Sequence, residues 1–96
     1  MNFRVTIRPA ADIDLAEARE WYEARRIGLG DEFLASVAQA FAALEESPAQ
    51  FPMYHHPYRR VLIERFPYKV FFTINVDAVI VFRILHAARD HTWRLR

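Results

Sequence analysis

The chain has 96 residues, 53% of them hydrophobic and 15% aromatic, which suits one domain over residues 1–96 with a core that needs no cross-links. It has no cysteine, which excludes disulfides, thiolate nucleophiles and cysteine zinc sites, and no window comes near the roughly 18 apolar residues of a membrane span. We therefore expect a cytoplasmic protein with no membrane partner. A net charge of +1 argues against a protein that coats nucleic acid by bulk electrostatics.

The first predicted element is a short strand. Residues 3–8 alternate between apolar and polar side chains, with Phe3, Val5 and Ile7 on one face, as expected of a half-buried strand. Pro9 ends the alternation.

Two amphipathic helices follow the strand. Apolar residues recur every three or four positions over residues 9–26, which predicts the first helix. Gly28 and Gly30 then supply the backbone of a tight turn. The second helix is predicted over residues 31–47 and stops because Pro48 disfavours helix in the residue before it. So short a connection predicts an antiparallel helical hairpin.

The second half of the chain is predicted to form strands. Residues 48–57 hold three of the five prolines and are predicted to be a loop. Alternation returns over residues 58–64 and again over 68–75, and a compact turn at 76–78 leads to the run 79–85. That last run has apolar residues on both faces, which marks a central strand. Strict alternation predicts that Ile80, Phe82 and Ile84 share one face and that Val79, Val81, Arg83 and Leu85 share the other.

The predicted order is β-α-α-β-β-β, which is the α+β class. An N-terminal strand and an antiparallel two-helix hairpin precede a three-stranded antiparallel meander. We expect the helices to cover one sheet face and to leave the opposite face free for function.

Several candidate catalytic groups can be set aside on their spacing. The carboxylates of the first helix mix with arginines at spacings that suit surface ion pairs, so we interpret them as a solvated helix face; they are Asp12, Asp14, Glu17, Glu20 and Glu23. The adjacent His55 and His56 have no third ligand at metal-binding spacing, and no metal site or cofactor is expected. No glycine-rich phosphate loop is present, and Ser36 and Ser47 lie in no nucleophile motif.

The aromatic pair Trp21 and Tyr22 is interpreted as core at the seam between helix and sheet.

The remaining candidates are basic. Residues 1–50 carry five arginines against nine acids, whereas residues 51–96 carry eight cations against three acids. Arg83 interrupts an otherwise apolar central strand, so this cation needs a partner or a role. We predict a target-binding surface made of Arg60, Lys69, Arg83, His86, Arg89 and Trp93.

The chain resembles the RelE/ParE superfamily of type II toxin-antitoxin toxins over nearly its whole length, and the ParE side in particular. The order and spacing of several short motifs carry this resemblance: Ala11-Asp12, Trp21-Tyr22-Glu23, Gly28-Leu29-Gly30 with Phe33, Pro48, Phe66-Pro67-Tyr68, His86, Arg89-Asp90 and Trp93. The resemblance implies a bacterial growth-inhibiting toxin, of the kind also linked to plasmid stabilisation, that a cognate antitoxin neutralises.

Two activities occur in the superfamily that the chain resembles. RelE-like toxins cleave mRNA on the ribosome without metal, and ParE-like toxins inhibit DNA gyrase by binding. Lys69 falls where RelE-like enzymes place a catalytic arginine, and Arg89 falls near a second one. Near the C-terminus, where those enzymes use a tyrosine, the chain has Trp93, whose indole is no general acid. The candidate substitute proton carriers are His86 and His91, because histidine titrates near neutrality.

These departures favour a non-enzymatic gyrase inhibitor. A ribosome-dependent mRNA endoribonuclease that uses Lys69, Arg89 and His86 is the first alternative. An inactive toxin that survives as a binding module is the second.

The expected partner is a cognate antitoxin with a disordered acidic or amphipathic C-terminus, which would form a hetero-oligomer with the toxin. A helical hairpin beside a sheet offers an apolar groove for a helix and an edge for strand addition. We predict that the antitoxin tail lies over the hairpin and reaches the basic sheet face. The predicted antitoxin contacts are Trp21, Phe33, Val37 and Phe41.

Overall fold

The computed structural model describes residues 2–88. The expectations for Arg89, His91 and Trp93 fall outside the described residues. The first half consists of a strand and two helices: β1 (Arg4–Ile7), α1 (Pro9–Arg25) and α2 (Leu29–Glu46). A 3-10 turn and four strands follow, namely Pro48–Gln50, β2 (Met53–His55), β3 (Tyr58–Leu62), β4 (Tyr68–Asn75) and β5 (Ala78–His86). None of the described helices is long and apolar enough to cross a membrane.

The strands form one mixed sheet in the order β1-β5-β4-β3-β2. The predicted helical hairpin and meander are confirmed, and β1 pairs in parallel with the first half of β5, from Arg4 opposite Ala78 to Ile7 opposite Val81. The loop prediction for residues 48–57 is wrong in part, because Met53–His55 turns back on β3 as a fifth strand. β2 has only three residues and lies between Pro52 and Pro57, so it is too short to show the alternation of a strand in the sequence.

The main core lies between the helices and one face of the sheet. Phe33 and Leu44 of α2 are fully buried against Val70, Phe72 and Ile84. Tyr22 of α1 joins them through rings that meet edge to face, with centroids 4.8 Å from Phe66 and 6.1 Å from Tyr68. This single seam buries the apolar stripes of both amphipathic helices.

The prediction that β5 alternates strictly is wrong because the strand contains a bulge. Phe72 of β4 lies opposite Val81, but the preceding Phe71 lies opposite Arg83, so Phe82 is an extra residue. A bulge shifts the alternation by one residue. Val79, Val81 and Ile84 therefore all face the main core, whereas Leu85 lies in a second cluster.

The sheet face that the helices do not cover carries a smaller aromatic cluster. Phe71 is 0% and Leu85 6% exposed, with Tyr54, Tyr58 and Phe82 packed around them. The ring centroids of Tyr54 and Phe71 are 5.1 Å apart, and those of Tyr58 and Phe82 are 5.2 Å apart. The sheet face that was expected to be free for function is thus an aromatic layer that carries cations.

Candidate binding surfaces

Arg83 forms an internal ion pair with Asp14 of α1. Its Nε and Nη2 donate to the two Asp14 oxygens at 2.6 and 2.8 Å, and the backbone N–H of Ile84 donates to the same carboxylate at 3.0 Å. The hydrogen bonds to Asp14 raise the pKa of Arg83 above its ordinary value. Because β1 pairs no further than Val81, this carboxylate occupies the β5 edge beyond it.

This pair corrects two expectations from the sequence. Arg83 does not belong to a free target-binding set, since its guanidinium is held by α1. Asp14 is not on a solvated helix face, since only 9% of it is exposed. The spacing of Ala11, Asp14, Ala18 and Tyr22 places Asp14 on the buried stripe of α1, and this signal was available in the sequence.

Glu23 also departs from the solvated-face interpretation. Its two carboxylate oxygens accept the backbone N–H groups of Gly28 and Gly30, each at 3.0 Å. These N–H groups belong to the turn and to the start of α2, where helices leave donors unpaired and where the helix dipole favours an acid. Glu23 therefore links the last turns of α1 to the turn and the start of α2.

Arg60 and Lys69 lie together on the sheet face that the helices leave uncovered. The guanidinium carbon of Arg60 is 5.5 Å and the Lys69 ammonium 6.0 Å from the centroid of the Tyr54 ring. Both distances are within the range of a cation–π contact. We define Tyr54, Tyr58, Arg60 and Lys69 as the basic sheet surface, with Phe71 buried beneath it.

His86 lies on the other side of the sheet from Lys69. It pairs across the ladder with Tyr68, whose ring packs into the main core, and the two ring centroids are 5.4 Å apart. The neighbouring pair, Lys69 and Leu85, points to the opposite face because side chains alternate along a strand. Nδ1 of His86 accepts the backbone N–H of Ala88 at 3.2 Å. The structure thus unites Arg60 with Lys69 and separates both from His86.

An open groove of about 720 Å³ runs between α1 and the end of the β4–β5 hairpin. Along one wall the rings of Trp21, Tyr22, Tyr68 and His86 meet in succession, at centroid distances of 5.1, 6.1 and 5.4 Å. Burial raises the pKa of the Tyr22 hydroxyl, and Tyr68 adds to this effect. The other described residues that line the groove are Asp14, Glu17, Ala18, Pro67, Ile84, Leu85 and Ala88.

The predicted antitoxin contacts divide between surface and core. Trp21, which was expected in the core, is 49% exposed and lines the groove. Phe33 and Val37 are only 0% and 3% exposed, so the expectation that they offer a docking surface is wrong. Phe41 is partly buried against the core. In a helix only one of two adjacent residues can lie at the centre of the buried stripe, and here it is Tyr22.

Among residues 2–88, no group of three His, Asp or Glu side chains is arranged to hold a metal ion.

The comparisons with known proteins bear on the fold and the family. Residues 5–91 match the family described as the ParE toxin of the type II toxin-antitoxin system, parDE. The chain belongs to this family. The superfamily resemblance of the sequence is thereby confirmed, and the molecule is a type II toxin of the ParE/RelE group.

Solved structures share the fold of this toxin at low sequence identity. A chain from the chromosomal ParDE system of P. aeruginosa has a TM-score of 0.75 at 18% identity, covering 88% of this chain and 95% of that one. A chain of the RelBE2 toxin-antitoxin complex of Mycobacterium tuberculosis has a TM-score of 0.64 at 20% identity, covering 90% and 99%.

A copper-bound mutant toxin from Helicobacter pylori has a TM-score of 0.58 at 15% identity, covering 90% of this toxin and 96% of that one. No curated protein sequence matches the chain. A ParDE system and a RelBE system thus both contain chains with the fold of this toxin.

Proposed function

We propose that the toxin arrests growth by binding DNA gyrase, with the basic sheet surface as its contact. The observation that carries this proposal is the placement of Lys69 and His86 on opposite faces of the sheet. Metal-independent cleavage of RNA needs a proton acceptor, a proton donor and a cation gathered around one phosphodiester. The two titratable candidates of the described chain cannot face the same phosphate.

Arg83 adds to this argument. A cation that stabilises a developing phosphorane must reach the phosphate, but the Arg83 fork is closed on both oxygens of Asp14. Two of the predicted functional cations then remain on the helix-free face of the described chain, Arg60 and Lys69. They are held against the Tyr54 ring instead of extending freely.

The basic sheet surface has the composition of a protein-binding patch. Tyrosine and arginine are enriched among the residues that dominate binding energy, and they contribute most when packed in a rigid setting. Here Phe71 and Leu85 are buried beneath the tyrosines, so Arg60 and Lys69 rest on a fixed layer. We infer that this layer meets an acidic patch on gyrase.

Two assays separate the target classes. Purified toxin is added to gyrase and relaxed plasmid, and separately to ribosomes programmed with a defined mRNA. The proposal expects loss of supercoiling with the mRNA left intact. Cuts in mRNA that require ribosomes, with supercoiling preserved, would replace it with the ribonuclease alternative. Absence of both effects, together with no growth arrest on expression, would indicate an inactive toxin that retains only binding.

We further propose that a cognate antitoxin holds the toxin through a C-terminal tail that is disordered when free. The groove beside α1 suits an amphipathic segment, and the basic sheet surface suits an acidic one. Leu85 lines the groove and also belongs to the cluster beneath the basic sheet surface, so one tail can pass around the end of β5. Deleting that tail should abolish the complex, and an undiminished affinity in a binding titration would count against this arrangement.

A further inference from the structure

We infer that the groove beside α1 receives a segment of the antitoxin that carries a lysine or arginine next to an apolar residue, with the cation directed to Glu17. This inference rests on the proposed antitoxin partner and reverses the acidic character expected for this part of the tail. The remaining acidic part of the tail is left for the basic sheet surface.

The charge of the groove is the first argument. Asp14 and Glu17 line it, and among residues 2–88 no lysine or arginine does. Asp14 is matched by Arg83, which reaches it from β5. Glu17 is exposed, and its electrostatic attraction to Arg83 is weaker than that of Asp14. The groove therefore has a surplus negative charge at Glu17, and an acidic segment would be repelled there.

The aromatic wall is the second argument. Four rings meet in series from Trp21 to His86, and ring faces and edges of this kind pack well against the aliphatic stem of a lysine or arginine. The outer face of Trp21 already holds a guanidinium, since the Arg25 carbon lies 3.2 Å from the ring centroid and its Nη1 donates to the Trp21 carbonyl at 3.2 Å. A second cation on the groove side would use the same property of the indole.

The size of the groove is the third argument. A volume of about 720 Å³ is in the range of clefts that bury most of a drug-sized ligand. Ala18, Ile84 and Leu85 supply apolar lining that a single charged side chain would leave uncovered. The occupant is therefore a peptide segment that has an apolar residue beside its cation, and not an isolated ion.

The experiment measures the affinity of full-length toxin for full-length antitoxin by calorimetric titration. Glu17→Lys is compared with Glu20→Lys, which makes the same charge change at an exposed position of α1 outside the groove. We expect Glu17→Lys to weaken binding at least tenfold and Glu20→Lys to change it less than threefold. Trp21→Ala should also weaken binding at least tenfold.

The pairing is then tested from the other side. Each lysine and arginine of the antitoxin tail is changed to glutamate, and one of these changes should restore affinity to Glu17→Lys while it weakens binding to the wild-type toxin. Circular dichroism confirms that each toxin variant folds. If Glu17→Lys binds as tightly as Glu20→Lys, or if no antitoxin change restores it, the groove inference is overturned.

These outcomes are separate from failure of the proposed function. If the wild-type toxin fails to bind the antitoxin, the partner itself is wrong and the inference fails with it. Gyrase inhibition by free toxin is measured in parallel, and we expect Glu17→Lys to retain it. Loss of gyrase inhibition with antitoxin affinity unchanged would assign the groove to the target and overturn the inference.

Discussion

Arg83 and Asp14 are 69 residues apart in the chain and joined by two hydrogen bonds of 2.6 and 2.8 Å. The bulge places Arg83 opposite Phe71, on the sheet face away from the helices. The early end of β1 leaves the β5 edge open, and Arg83 reaches the Asp14 side chain there. The same carboxylate satisfies the N–H of Ile84 at 3.0 Å. One side chain thus closes the sheet edge, partners a strand cation and ties α1 to β5.

Asp14→Asn should lower the free energy of unfolding by about 2–3 kcal/mol, because it leaves the Arg83 charge uncompensated and weakens the bond to Ile84. This value lies at the low end for a broken ion pair because 22% of the Arg83 side chain is still exposed. Denaturant unfolding followed by circular dichroism measures the change. The control Asp12→Asn, exposed in the first turn of the same helix, should cost less than about 1 kcal/mol. Equal losses in both variants would contradict the assigned role.

Glu23→Ala should destabilise the toxin by about 1–2 kcal/mol, because two backbone N–H groups at the turn would lose a charged acceptor. Water reaches this partly exposed turn and limits the loss. Glu20→Ala, on an exposed position of the same helix, serves as the control and should change stability by less than about 0.5 kcal/mol. Hydrogen exchange at Gly28 and Gly30 gives a local readout. Unchanged protection of both amides in Glu23→Ala would show that the carboxylate does not hold them.

Much of the fold could be predicted from the sequence because helix and strand periods are local. The stripe of α2 and the alternation of β3 and β4 needed no knowledge of their partners. The family resemblance also held, since it depends on the order and spacing of motifs along the chain.

The site was harder to predict because its geometry depends on distant contacts. The β5 bulge is set by pairing with β4, and it reverses the face of the residues that follow. Counting alternate residues placed Arg83 with Val79 and Val81, whereas the bulge places it opposite Phe71, on the sheet face of the second cluster. His86 lies on the other face from Lys69. The role of Glu23 depends on how the chain turns after α1, although the buried position of Asp14 could have been found from the helical stripe.

Glu32 should make the stability of the toxin depend on pH in acid solution. The hydrogen bond from Arg65 at 2.8 Å, with added attraction from Arg26, holds the pKa of Glu32 below its ordinary value. A carboxyl with a lowered pKa in the folded chain stabilises the fold above its unfolded pKa, and this stabilisation is lost as the pH falls through the folded pKa. The stability difference between wild type and Glu32→Gln should therefore be present at neutral pH and vanish in acid.

Thermal unfolding across that pH range measures the Glu32 effect, which should be small because the pair is exposed. In an Arg65→Gln background the same comparison should give a smaller difference at neutral pH. The ion pair would not be the source if the stability difference between wild type and Glu32→Gln persisted unchanged below the folded pKa of Glu32. The same would follow if that difference were equal with and without Arg65→Gln.

Lys69→Ala and Arg60→Ala should each raise the toxin concentration needed for half-inhibition of gyrase about tenfold, which corresponds to about 1.4 kcal/mol. Both cations lie over Tyr54 on a buried aromatic layer, so each side chain is ordered before gyrase binds. Removing either one therefore loses its contacts with gyrase, and little ordering entropy is saved in return. Growth after induction without antitoxin gives the cellular readout, and both variants should relieve the arrest. The control Arg4→Ala removes an exposed cation of β1, at the far edge of the sheet, and should leave inhibition within twofold of wild type. Full toxicity of both sheet variants would show that the basic sheet surface does not contact the target. An equal loss of inhibition in all three variants would show that only the net charge of the toxin matters.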